Sequence, residues 1–134
     1  MAHKWNLDFE SSEIRSPKDI LLEQAVFLNE QAKKTFRAII TTSQGDILNE
    51  DLRELVLVHS FRINAPALDG FRFTLLRVKQ PGTTFYPVEI YANLLDKKVS
   101  ATDEEDFENK LFEILNSKET IDSLTAVYQQ SIKE

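Results

Sequence analysis

Three alternating runs between Leu55 and Ala92 restrict the fold more than anything else in this chain. Leu55 to Ile63, Phe71 to Lys79 and Phe85 to Ala92 are rich in β-branched and aromatic residues. Their apolar positions recur with the period of strands that bury one face. The runs are separated by Ala65-Pro66-Ala67-Leu68-Asp69-Gly70 and by Gln80-Pro81-Gly82-Thr83. Proline removes a donor there and Asp-Gly favours a turn, so the connections are short. Short connections join antiparallel strands, because parallel neighbours need a long crossover. Pro87 cannot donate to a ladder, which predicts an edge position or a bulge in the last run.

Helices flank this block. Ser16-Pro17-Lys18-Asp19 combines a capping serine, a proline suited to the first helical position and a capping-box acid. Leu21, Ala25, Leu28 and Ala32 then share one stripe, predicting a helix from Pro17 to about Lys34. Phe36 to Thr42 alternates and adds a strand before the loop at Ile47 to Leu52. Beyond Lys97-Lys98 the period becomes helical. Thr102 with Glu105 reads as a capping box, Phe107, Leu111, Ile114 and Leu115 form a stripe, and Asn116-Ser117 breaks it before a last helix.

The expected fold class is therefore α+β, with an antiparallel sheet of about four strands, one N-terminal helix and two C-terminal helices packed mainly on one face, in the order α-β-β-β-β-α-α. With 134 residues and 42% apolar content, residues 1–134 suit a single globular domain. Residues 1–15 form an arm or short strand around Trp5, Leu7 and Phe9. Residues 16–35 form the first helix, 36–92 the sheet and 102–132 an acidic helical tail.

Opposed residues of an antiparallel pair face the same side, so apolar positions should match. Pairing Ile63 with Phe73 sets Phe61 against Leu75 and His59 against Arg77. Pairing Lys79 with Thr84 sets Leu75 against Val88, Phe73 against Ile90 and Phe71 against Ala92. Both choices turn Phe73 and Leu75 inward. The opposite face then gathers Arg62, Arg72, Glu89 and Tyr91 at one end and Val56, Val58, Leu76, Val78 and Phe85 at the other. If all the helices cover the Phe73 face, that apolar half is exposed; if one crosses over, it is ordinary core.

Arg62, Arg72, Glu89 and Tyr91 are the candidate binding surface. Two guanidiniums can grip a carboxylate or phosphate while a tyrosine supplies a flat amphipathic contact. The bland alternative is a set of cross-strand ion pairs contributing about 1 kcal/mol or less each. A second candidate is a pocket between sheet and helices lined by His59, Arg77 and Tyr86.

Many chemistries are disfavoured. There is no cysteine, hence no disulfide, thiolate nucleophile or cysteine zinc site. The three glycines are isolated, so neither a phosphate loop nor a dinucleotide fingerprint exists, and no Gly-x-Ser-x-Gly elbow occurs. The two histidines, His3 and His59, lack metal-pair spacing, and no catalytic residue, metal or cofactor is expected. No apolar run approaches the ~20 residues of a membrane span, and Met1 to Phe9 carry no apolar secretory core. A cytoplasmic protein without membrane contact is expected. The net charge of −6 disfavours nucleic acid. Ten acids face five bases from Asp96 to Glu134, against six of each from Phe36 to Tyr91.

Size and acidity resemble those of small accessory proteins such as immunity proteins, inhibitors and secretion chaperones, a likeness of bulk properties only. The leading expectation is a non-catalytic acidic module binding a protein partner, or a second copy of itself, through a sheet face or the acidic helices. A basic partner would suit the acidic body. The alternative is a small-anion or ligand-binding domain, or a small enzyme, with its pocket at His59.

Overall fold

The computed structural model describes residues 8–9, 13–45 and 56–132. The strand expected at 5–9 falls mostly outside these residues, and the loop expected at 47–52 wholly so. The chain is an α+β protein: helix α1 (Pro17–Ala32), strands β1 (Arg37–Gln44), β2 (Val56–Ala65), β3 (Phe71–Pro81), β4 (Val88–Ala92) and β5 (Lys97–Ala101), then helices α2 (Glu104–Leu115) and α3 (Lys118–Ile132). The five strands are antiparallel and stand in sequence order across one sheet. One strand more than expected is present. Lys97-Lys98-Val99-Ser100-Ala101 pairs with β4 instead of leading into a helix.

The helix ends follow local chemistry. Ser16 Oγ accepts from the Asp19 amide at 3.1 Å, and the Asp19 carboxylate accepts from the Ser16 amide at 3.4 Å, completing the expected capping box. α1 stops two residues early, where Lys33 and Lys34 turn to positive φ. α2 is capped one residue later than expected. Asp103 accepts from the Asp106 amide at 2.8 Å, while Thr102 donates to the Asp106 carboxylate from outside the helix.

α1 also ties down the β1 edge of the sheet at Ala38. The Asn29 amide takes the Ala38 N–H at 2.6 Å and donates to the Ala38 carbonyl at 3.1 Å, standing in for a neighbouring strand. On the helix side lie Ala38, Phe61, Ile63, Ala65, Leu76, Val78, Val88, Ile90, Ala92 and Ala101. They pack against Ile20, Leu21 and Ala25 of α1, Phe107, Leu111 and Ile114 of α2, and Val127 of α3.

The expected register holds at one end of the central hairpin and fails at the other. Ile63 pairs with Phe73, Arg62 with Thr74 and Asn64 with Arg72. Then β3 carries one extra residue, Leu75, so that Phe61 pairs with Leu76 and His59 with Val78. A bulge of this kind reverses strand phase. Beyond it Leu76 and Val78 face the helices and are fully buried, while Arg77 and Lys79 face away. The pairing of β3 with β4 is displaced as well. Leu76 opposes Ala92 and Val78 opposes Ile90, in place of Phe71–Ala92 and Phe73–Ile90. Pro87 precedes β4 and leaves its ladder intact. The apolar half-face expected around Leu76 and Val78 is therefore absent. Of that set, Val56 and Val58 alone alternate onto the outer side, buried and half-buried.

Candidate functional site

Strand phase determines what the outer side of the sheet presents. Residues opposed across the ladders share a side, so Arg37, Arg62, Arg72, Arg77, Lys79 and Lys98 all project from it, with Glu89 as the one acid on these strand positions. The helices show the opposite balance. α1, α2 and α3 together carry ten Asp and Glu residues against Lys18, Lys110 and Lys118. Among the described residues, an acidic protein thus has one basic side.

The basic side divides into two groups. Arg62 and Arg72 occupy diagonal positions beside the Ile63–Phe73 pair, with Arg37 on the next strand opposite Asn64. The second group lies five residues further along β3, about 15 Å away at the usual rise per residue. There Arg77 opposes Tyr91, which opposes Lys98, and Lys79 opposes Glu89. Arg77, Lys79, Glu89, Tyr91 and Lys98 line a concavity of about 160 Å³.

All four residues of the expected binding surface thus lie on the outer side. Arg72 is not beside Tyr91, however, nor is Glu89 near Arg62. The expected arginine–glutamate pairs do not form. The cation nearest Glu89 is Lys98, with Nζ at 3.9 Å from Oε1. Among the described residues Arg37, Arg62, Arg72, Arg77 and Lys79 have no ion-pair partner. The Tyr91 hydroxyl donates to Asp96 Oδ1 at 2.6 Å, and this bond to a carboxylate raises its pKa above the usual phenol value.

His59, Arg77 and Tyr86 do not converge. His59 is 2% exposed on the helix side, whereas Arg77 is on the outer side opposite Ser60. The His59 Nε2 is 2.8 Å from Gln80 Oε1, an acceptor only, so Nε2 carries the proton; Thr42 Oγ1 then donates to Nδ1 at 2.9 Å. Burial pushes the His59 pKa down, and both ring nitrogens are held in structural bonds. Tyr86 lies elsewhere, donating to the Arg15 carbonyl at 3.0 Å and packing against Phe107. Burial first, and Glu104 next, push its pKa up to about 12. These contacts anchor the segment before α1. Arg15 meanwhile binds Glu23 at 2.5 Å, Glu104 at 3.2 Å and Glu108.

Among the described residues no group of three or more His, Asp and Glu is set for a metal ion, and no helix is long and apolar enough to cross a membrane. A wider cleft of about 500 Å³ lies beside Phe85, Tyr86 and the start of α2. Its Asp103 and Glu104 are already engaged in capping α2 and holding Arg15.

Arg77, Lys79 and Lys98 were not legible from the sequence as residues of the outer side. For Arg77 and Lys79 the signal is the Leu75-Leu76 doublet, where two alternating patterns meet out of phase; Lys98 is placed by the pairing of β5 with β4. Comparisons with family models, with curated proteins and with solved structures give no match.

Proposed function

We propose that this protein is a non-catalytic interaction module that docks an acidic protein partner on the outer side of its sheet. One observation carries the reading: among the described residues five cations on that side lack ion-pair partners, in a protein whose helices are strongly acidic. Arg62 and Arg72, at diagonal positions about 7–8 Å apart, repel by roughly 0.6 kcal/mol even in water. Such an arrangement gives the isolated fold no stability. It does supply guanidinium forks for carboxylates and a field that orients an acidic partner toward the sheet while the helices repel it. The net charge alone suggested a basic partner; the segregation of charge favours the opposite one.

A protein partner suits this side better than single-stranded nucleic acid. Base-stacking platforms need several exposed aromatic rings, and Tyr91 is the one aromatic among the described outer strand positions. A chain without cysteine also suits the reducing cytoplasm as the place of encounter.

Fluorescence anisotropy with a labelled polyglutamate peptide at low ionic strength tests the proposal. Binding should weaken with salt and should fall at least about tenfold in the R62E/R72E double variant, a loss of about 1.4 kcal/mol. The thermal midpoint should stay within a few degrees of the parent. Equal binding by parent and variant would overturn the reading, as would binding of an oligonucleotide with none of polyglutamate.

A further inference from the structure

Within the basic side, we propose that the concavity between Arg77 and Lys98 is a subsite for a phosphomonoester carried on the acidic partner. The inference rests on the docking reading above and adds the chemistry of one anchor point.

The row Arg77–Tyr91–Lys98 runs straight across three adjacent strands. Strands are spaced about 4.8 Å apart, so the two cationic stems start roughly 10 Å from each other with the tyrosine between them. From there a guanidinium and an ammonium can meet over the ring. Lys79 approaches from the next outward position of β3. The space of about 160 Å³ exceeds the ~30 Å³ share of one water about fivefold, enough for a tetrahedral oxyanion and a few waters.

The number of donors selects among oxyanions. Three cations against Glu89 and the Asp96 carboxylate held by Tyr91 leave a local balance of one positive charge. A phosphomonoester presents three acceptor oxygens, one for each cation, whereas a carboxylate presents two. Glu89 stands near Lys98 and opposite Lys79, which leaves Arg77 as the free fork. The Tyr91 hydroxyl is held by Asp96 in the β4–β5 turn, fixing the ring as a wall for the apolar stem that carries the phosphate.

The test compares a short glutamate-flanked peptide carrying one phosphoserine with the same peptide carrying serine, and with inorganic phosphate, by calorimetry. The phosphopeptide should bind at least about tenfold more tightly than the serine peptide. R77Q and K98Q should each abolish that preference, while R62Q, which removes the same charge elsewhere, should keep it. Equal affinities for the two peptides, or a preference surviving in R77Q and K98Q, would overturn the subsite. Inorganic phosphate binding as tightly as the phosphopeptide would also overturn it, since the anion would then need no peptide. If polyglutamate binds the parent but the phosphate preference is missing, the subsite fails and the docking side stands. If polyglutamate does not bind, the wider reading fails with it.

Discussion

Replacing Leu76 by alanine tests the bulge on which the composition of the outer side depends. In an uninterrupted strand in phase with Phe73, Leu76 would project outward and its truncation would change little. In the structure its side chain is fully buried between Phe61 and Ala92. Truncation removes three carbons, worth about 2.4 kcal/mol of transfer free energy at ~0.8 kcal/mol each. The cavity left behind raises the expected loss to about 3–4 kcal/mol. With urea m-values of about 1–3 kcal/mol/M, the midpoint should fall by roughly 1–4 M. Arg77→Ala, one residue on, should stay within about 0.5 kcal/mol of the parent because Arg77 is exposed and makes no ion pair. Urea unfolding followed by circular dichroism measures both variants. A neutral L76A together with a costly R77A would refute the phase reversal, and with it the placement of Arg77 and Lys79.

Two further outcomes follow from local geometry. The His59 pKa is held below 6.5 by burial, opposed by its bond to Gln80. Between the folded and unfolded pKa values the unfolded chain therefore binds more protons, so the His59 contribution is present above 6.5 and is lost as pH falls below it. Urea midpoints from about pH 8 to about pH 5 should decline more steeply in the parent than in His59→Gln, and equal slopes would contradict the burial argument. A Cβ on Gly45 would lie 2.5 Å from a Val58 methyl. Gly45→Ala should cost about 1–3 kcal/mol by overpacking, with recovery when Val58→Ala opens the space; an undiminished cost in the double variant would point elsewhere.

What the sequence disclosed was local chemistry. Ser16, Pro17 and Asp19 announce α1 because their interactions span only one turn. The Ile63–Phe73 register was readable because turn residues and apolar matching agree across a short connection. The bulge was not, since strict alternation from Phe73 assigns Leu75 and Leu76 to opposite sides and both are buried. Leu75–Val88 and Phe73–Ile90 look as favourable as the observed Leu76–Ala92 and Val78–Ile90, so apolar matching could not choose between them. β5 was missed because Lys97, Lys98 and Ser100 have weak strand propensity and are held by pairing with β4. The charged side escaped notice for a related reason. Counting along the chain from Phe36 to Tyr91 balances six acids against six bases, yet among the described residues of that stretch Glu89 is the one acid on a strand, against Arg37, Arg62, Arg72, Arg77 and Lys79.

The central claim concerns where an acidic chain touches this protein, and amide chemical-shift mapping during a polyglutamate titration reads that location directly. Docking on the outer sheet predicts the largest shifts at Arg62, Arg72, Arg77, Tyr91 and Lys98, with Leu111, Ile121 and Val127 on the helical side unmoved. Shifts concentrated on α2 and α3, or scattered evenly over the surface, would contradict it.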